Sequence, residues 1–274
     1  MDKKQLISKN TSYFLRGIAM LMVVLSHYFE WGETAIANKG LVHFMSSLGD
    51  PGVGIFFFLS GYALFKGYGR GFSGSKDALK YFLGRFMGVY LPYLVIVGII
   101  TFINGGFSDA GSIKRYLIGS DYWFMAIIFV LYLSYGMFNF LPKYRTIIMS
   151  VFVFDLSFYL YLNDYAVFWY DAIWCFALGL IISKYDEGWG FVKNGFCLNI
   201  KDYLFGFIGR ISLYIYILHS FVYIKLLQLM DERGVEMNWY LRALIAFIIT
   251  CICGYIFNII FTMWKRGKKG ERNS

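Results

Sequence analysis

The sequence predicts an all-α protein, a polytopic bundle of transmembrane helices with about eight spans, within a range of eight to ten. Three observations predict this fold class. Hydrophobic residues make up 58% of the 274 residues and charged residues only 16%, whereas a soluble domain carries about a quarter charged residues. Apolar runs approach the ~20 residues that a bilayer core requires. Basic residues also gather on one side of the alternating connections, which is typical of membrane topology.

The first half of the chain supplies four candidate spans. Residues 13–29 are too many for the apolar region of a signal peptide and no small-residue cleavage site follows them, so we expect this run to remain as an anchor. The second run, 52–65, reaches spanning length only if residues 43–48 extend it. The third run, 81–103, is long enough by itself, and the fourth covers residues 122–140.

The second half supplies four more runs, at residues 146–162, 165–183, 211–229 and 239–264. Between the sixth and seventh runs, residues 188–208 are apolar in patches but contain two lysines and an aspartate. We interpret that segment as a cytoplasmic interfacial stretch or a re-entrant piece. Together the eight runs predict a single integral membrane domain over residues 1–274.

The basic residues predict that both termini are cytoplasmic. With the N-terminus inside, 20 of the 26 lysines and arginines fall on the cytoplasmic side, as the positive-inside rule requires. This asymmetry accounts for the net charge of +9 without nucleic acid as a partner. Residues 265–274 are predicted to form a basic cytoplasmic tail that favours anionic lipid headgroups. Cys251 and Cys253 point to different helix faces, so no metal site is expected.

Arg16 and His27 lie on one face of the first predicted helix. Eleven residues at about 100° each give three turns and a remainder of about 20°, so the pair is nearly in line with a rise of roughly 16 Å. Ionisable groups inside a membrane are candidates for functional sites. Arg16 alone is also explained by snorkelling to headgroups, and His27 alone by an interhelical hydrogen bond. The aligned pair is what indicates a lined pathway.

Five motifs follow one another along the chain: Arg16-x10-His27, residues 52–62 with Ser60-Gly61, residues 85–93 from Arg85, Tyr122-Trp123-Phe124, and residues 212–219 ending at His219. In this order they resemble the acyltransferase-3 family of integral membrane acyltransferases. One departure from the family pattern concerns the third motif, in which a second arginine often follows three residues after the first. Gly88 occupies that position here, so Lys80, Arg70 or Lys66 would have to substitute for it.

The resemblance implies a membrane-bound O-acyltransferase. Such an enzyme moves an acyl group, commonly acetyl, from cytoplasmic acyl-CoA to a hydroxyl of an extracytoplasmic or lipid-linked glycan. Acyl-CoA is then a co-substrate, no cofactor stays bound, and the partners are acyl-CoA, the glycan acceptor and membrane lipid. The resemblance also implies a multi-pass protein of the cell membrane, of the bacterial inner or plasma membrane type.

Residue roles follow from the chemistry of acyl transfer together with this resemblance. A thioester is already activated, so the acceptor hydroxyl needs a base, and a histidine suits that task. His27 lies roughly 20 Å above the inner boundary of a ~30 Å core, within reach of an acceptor from outside. We therefore predict His27 as catalytic, with Glu30 orienting its ring or binding acceptor hydroxyls. Arg16 and Arg85 are predicted to bind the donor.

Four more residues are candidates for the same cavity: Trp123, Asp155, Asp171 and His219. Trp123 begins the fourth run, where an aromatic belt at the membrane interface is also a sufficient explanation. His219 fits structural support equally well. Asp155 and Asp171 lie inside predicted spans, where we expect both to face the bundle interior.

Two other functions fit the same residues. One is an exporter or flippase of a glycan or lipid-linked precursor, because a set of intramembrane charges also suits a solute pathway. The other is a membrane scaffold without activity, which the short length and Gly88 allow. Acyl-CoA binding separates the enzyme from both, and the lack of a clear internal repeat in the sequence argues against transport.

Overall fold

The computed structural model describes residues 5–32, 36–186 and 197–270, with side chains described as far as Arg266. Over these residues the chain forms helices and connecting loops, and one isolated parallel β-bridge joins Ile7 to Leu198. The all-α prediction is confirmed. The α-helices are α1 Lys9–Trp31, α2 Lys39–Ser46, α3 Gly49–Tyr68, α4 Ser75–Arg85, α5 Leu91–Ile103, α6 Ala110–Ile118, α7 Trp123–Phe138, α8 Arg145–Leu162, α9 Trp174–Tyr185, α10 Tyr203–Arg210, α11 Ser212–Glu232 and α12 Trp239–Gly270.

Seven helical stretches of the described chain are long and apolar enough to cross a membrane, and there are eight if the bent pair α6–α7 counts as one span. This agrees with the predicted number of about eight. The second span covers Lys39–Tyr68 and includes both α2 and α3, so residues 43–48 extend it as expected. The cytoplasmic placement of the termini stays a prediction.

Two predicted segments are only partly described by the structure. Helix α12 continues through Gly270, so the basic segment predicted as a tail from residue 265 begins within a helix, while residues 271–274 lie outside the described chain. The predicted interfacial stretch 188–208 is described only from residue 197 onward. There it contains α10, whose first residue, Tyr203, is 93% exposed.

Local sequence signals fix the helix ends near the site. The Ser8 hydroxyl accepts a hydrogen bond from the Thr11 N–H at 3.1 Å and caps the start of α1. Gly119 has a left-handed φ of +84° after α6, which allows a bend of 60° into α7. Phe86–Tyr90 form a π-helical turn before α5. Pro92 has no N–H to offer the Gly88 carbonyl four residues earlier, which favours a widened turn here.

Helix α1 is central, because it packs against α2, α3, α10 and α11. Close crossings occur at glycines, which let helix backbones approach one another. Gly17 of α1 faces the backbone of Phe205, and Gly209 of α10 faces the backbone of Tyr13. Large apolar side chains on the outer faces of α8 and α12 are exposed, as expected for helices that contact lipid, including Ile147, Val151, Phe154, Phe158, Ile252 and Ile256.

A buried polar network closes the end of the bundle that contains the start of α1. The Asp186 carboxylate, which is fully buried, accepts hydrogen bonds from Lys66 Nζ at 2.5 Å and from the Tyr62 hydroxyl at 2.6 Å. Arg145, also fully buried, donates to the carbonyl oxygens of Tyr68 and Gly69 at 3.1 and 3.0 Å. Those carbonyls lie at the C-terminal end of α3, where a cation is favourable.

Candidate active site

Two histidines from distant parts of the sequence form a pair. His27 on α1 and His219 on α11 approach to 2.8 Å between Nδ1 of His27 and Nε2 of His219, and their ring planes differ by only 5°. His219 is 2% exposed, whereas His27 is half-buried. His219, for which the sequence analysis left a cavity role and structural support open, thus contacts His27 directly.

The hydrogen bonds around His219 assign the tautomers of both rings. Nδ1 of His219 lies 2.8 Å from the carbonyl oxygen of Tyr216 and 3.2 Å from that of Ile215. A carbonyl oxygen only accepts, so Nδ1 of His219 carries a proton and Nε2 of the neutral ring accepts. His27 then donates from its own Nδ1. Nε2 of His27 therefore keeps its lone pair and is available as a proton acceptor.

The pair borders a cavity of about 560 Å³, which we call the His27 cavity. The structure brings four predicted residues together here: His27, Glu30, Trp123 and His219. Trp31 also lines it and stacks on His27, with ring centroids 5.3 Å apart and planes 13° apart. His27 donates its orienting hydrogen bond to His219, whereas the sequence analysis offered Glu30 for that role or for binding acceptor hydroxyls. Carboxylates and hydroxyls that sequence reasoning missed complete the lining, namely Asp50, Asp121, Ser26, Ser46 and Ser220.

A second cavity, of about 280 Å³, contains Arg16 and is called the Arg16 cavity. Its lining has two further cations, Arg210 at the end of α10 and Lys265 on α12. The Arg210 guanidinium lies 5.6 Å from the ring centre of Tyr13, one turn before Arg16 on α1. Gly88 also lines this cavity. Arg210 and Lys265 thus stand with Arg16 around the cavity that Gly88 borders, whereas the sequence analysis counted both only among the cytoplasmic basic residues.

The Arg16 and His27 cavities adjoin. Val23, Val53 and Tyr216 line both of them, and we call these three residues the shared wall. They are buried, with 2%, 5% and 9% exposure respectively. Val23 lies seven residues after Arg16 and four before His27, so all three share one face of α1. The face of α1 that carries Arg16 and His27 thus borders two cavities separated by this wall, and the lined pathway between them stays a prediction.

Arg85 lies elsewhere. It borders a separate apolar cavity of about 430 Å³, and its guanidinium stands over the rings of Tyr81 and Tyr132 at 5.9 and 5.4 Å. Tyr132 lines both this cavity and the Arg16 cavity and stands between them. The structure therefore does not bring Arg85 together with Arg16 as the sequence analysis expected.

The three lysine and arginine substitutes proposed for the Gly88 position are also absent from the lining of the Arg16 cavity. Lys66 forms the buried ion pair with Asp186. Arg70 and Lys80 border a different cavity of about 370 Å³ together with Asp77. The sequence analysis placed these three residues on the cytoplasmic side from charge counts. Charge counts do not show which face of a helix borders a given cavity.

The two aspartates do not line the His27 cavity. Asp155 is exposed on α8, whose buried positions are Met149, Val153, Ser157 and Leu160. Asp155 lies two residues after Val153, which places it about 200° round the helix from that buried stripe, so the expectation of an interior position was wrong. Asp171 is exposed and borders a neighbouring cavity of about 500 Å³, which shares Asp50 with the His27 cavity.

The fold and site define a multi-pass helical membrane protein in which a pair of histidines borders a cavity lined by aromatic and acidic side chains, and this cavity shares a wall with a cationic cavity. A family model described as an acyltransferase domain, Acyl_transf_3, matches residues 14–200, more than half of the chain. The chain belongs to this acyltransferase-3 family, as its motifs indicated. No curated protein and no solved structure matches it. Arg210, His219 and Lys265 lie beyond the matched residues.

Proposed function

We propose that this protein is a membrane-bound O-acyltransferase that moves an acetyl group from acyl-CoA to a hydroxyl of an extracytoplasmic or lipid-linked glycan. The observation that carries this proposal is the free Nε2 of His27, which belongs to a cavity that shares a wall with a chemically different, cationic cavity. Family membership supplies the acyltransferase class, and the two cavities supply a donor side and an acceptor side.

The Arg16 cavity suits the donor. Arg16, Arg210 and Lys265 offer three positive charges, and arginine binds phosphate groups well through paired N–H donors. The volume of about 280 Å³ is below the ~300–1,000 Å³ typical of pockets that enclose a whole small molecule. It fits an extended pantetheine arm better than an entire CoA, so the phosphates would stay at the mouth with the cations. An opening of the Arg16 cavity toward the cytoplasm would agree with the predicted cytoplasmic position of the N-terminus.

The His27 cavity suits a sugar acceptor. Trp31 and Trp123 present large rings that cover apolar sugar faces. Glu30, Asp50 and Asp121 present carboxylates, which only accept hydrogen bonds when ionised and therefore match hydroxyl donors. Asp121 is also 3.4 Å from Arg115 Nε, so part of its charge is already compensated.

The reaction then proceeds by direct attack. Nε2 of His27 takes the proton from the acceptor hydroxyl as the oxygen bonds to the thioester carbonyl carbon. His219 accepts from Nδ1 of His27 throughout and keeps the ring in the tautomer that leaves Nε2 free. The tetrahedral intermediate collapses, the C–S bond breaks, and the departing sulfur takes the proton from His27. The products are an O-acyl ester and CoA with a free thiol.

The proposed function is tested with the purified protein in liposomes, radiolabelled acetyl-CoA and a pool of glycan and lipid-linked sugar acceptors. We expect release of CoA thiol and transfer of label to the acceptor pool. Protein-free liposomes measure spontaneous hydrolysis. Absence of CoA release with every acceptor, together with absence of CoA binding in calorimetry, would contradict the enzyme and favour the exporter or flippase with the same fold.

Gly88→Arg is expected to strengthen donor binding. Gly88 lines the Arg16 cavity, and a Cβ atom there would meet no heavy atom within 4 Å, so an arginine has room to reach the phosphates. A hydrogen bond to a charged group contributes about 1.5–3 kcal/mol at best and the cavity is open to water, so we expect a roughly three- to tenfold lower dissociation constant for CoA. Titration calorimetry measures it.

Gly84→Arg is the matched control for this variant. Gly84 lies one turn earlier, is exposed and also has free space around its Cβ position, but it lies outside the lining of the Arg16 cavity. It adds the same charge to the same face of the membrane. Equal strengthening by both variants would show that net charge, and not the Arg16 cavity, determines CoA affinity.

A further inference from the structure

Tyr216 is the polar member of the shared wall. The other two members, Val23 and Val53, are aliphatic. In the proposed function, the acyl carbonyl of a donor in the Arg16 cavity meets the acceptor hydroxyl of the His27 cavity at this wall. A phenol is a hydrogen-bond donor as well as an acceptor, so its position at the junction suits a carbonyl oxygen that becomes negatively charged.

The orientation of the Tyr216 ring is fixed from several sides. Its centroid is 5.2 Å from that of Phe124, 6.0 Å from that of His219 and 6.4 Å from that of Tyr122. The Tyr216 carbonyl oxygen also accepts the proton of His219 Nδ1 at 2.8 Å. The same residue thus anchors the histidine pair through its backbone and lines both cavities.

The start of α7 lies beside the Tyr216 ring. Phe124 is the second residue of α7, and the first N–H groups of a helix have no partner within the helix. The rings of Phe124 and Tyr216 lie 5.2 Å apart, which places this helix start next to the phenol. An amide N–H donates and does not accept, so it leaves the phenol's own proton available to donate to another oxygen.

We propose that Tyr216 stabilises the oxyanion of acyl transfer, an inference that rests on the proposed function. When the acceptor oxygen bonds to the thioester carbon, the π electrons of the carbonyl move onto its oxygen and the acceptor proton moves to Nε2 of His27. The Tyr216 O–H donates a hydrogen bond to that oxyanion without giving up its proton. On collapse the C=O bond re-forms, the C–S bond breaks, and CoA sulfur takes the proton from His27.

Tyr216→Phe tests this assignment, because it keeps the ring and the wall and removes only the hydroxyl. We expect kcat for acetyl transfer to fall by about 10², in line with the loss of one oxyanion donor. The dissociation constant for a non-reactive thioether analogue of acetyl-CoA should change by less than about twofold, because the analogue develops no oxyanion. Thermal unfolding in detergent checks that the variant is folded.

Tyr223→Phe is the matched control, since Tyr223 is a buried tyrosine two turns later on α11 and lies outside the lining of both cavities. It should keep wild-type kcat. A Tyr216→Phe variant with wild-type kcat, or with a loss confined to donor affinity, would overturn the oxyanion role while leaving the acyltransferase proposal intact. Wild-type protein that transfers no acetyl group would overturn both.

Discussion

Replacement of His27 by alanine is expected to lower the rate of acetyl transfer by ~10²–10⁴-fold, the usual contribution of a positioned general base. Within the histidine pair, only Nε2 of His27 has a lone pair that no hydrogen bond occupies. Nδ1 of His27 donates to Nε2 of His219 at 2.8 Å, and Nδ1 of His219 donates to a backbone carbonyl oxygen. Without the His27 ring, His219 cannot replace it as the base, because His219 is buried behind the position of that ring. CoA release in liposomes measures the loss.

The remaining histidine supplies the control for this prediction. His43 is exposed on α2 and lies outside the lining of the His27 cavity, so His43→Ala should keep wild-type turnover. Calorimetry should find that His27→Ala still binds CoA, because Arg16, Arg210 and Lys265 belong to the other cavity. Retained acetyl transfer by folded His27→Ala protein would show that the base assignment is wrong.

Much of the fold could be predicted because a spanning helix is a local property of sequence. Eight apolar runs correspond to the seven helical stretches and the bent pair. The second run reaches spanning length only when residues 43–48 are included. In the structure α2 and α3 are separated by only two residues and form one stretch, Lys39–Tyr68. Helical periodicity alone could also have predicted that Asp155 is exposed, because the buried positions of α8 recur on the helix face opposite to Asp155.

The site could be predicted only where its residues lie on the same helix, so that helical spacing fixes their relative positions. Arg16 and His27 share a face of α1 because of the helical repeat, and the structure places a cavity at each. The contact between His27 and His219 joins residues 192 positions apart in the chain, which no helical spacing reports. Arg210 was missed for the same reason: it reaches the Arg16 cavity only because α10 packs on α1.

The packing of α10 on α1 predicts a large effect of a substitution at Gly209. A Cβ atom on Gly209 would meet the backbone of Tyr13 and of Gly17, including the Tyr13 carbonyl. Backbone atoms of a packed helix cannot rotate away as a side chain can, so Gly209→Ala must push α10 off α1. We expect destabilisation by about 1–3 kcal/mol, the usual cost of overpacking. Withdrawal of Arg210 should also weaken CoA binding by about tenfold, as loss of one charged hydrogen bond would.

Gly206→Ala separates this steric effect from a general intolerance of α10 to change. Gly206 lies three residues earlier on the same helix, and a Cβ atom there would meet nothing within 4 Å. Because alanine favours helix over glycine by ~1 kcal/mol, Gly206→Ala should unfold at the wild-type temperature or slightly above it and bind CoA normally. If Gly209→Ala matched Gly206→Ala in both thermal unfolding and CoA calorimetry, the α1–α10 crossing would not be what holds Arg210 in the donor cavity.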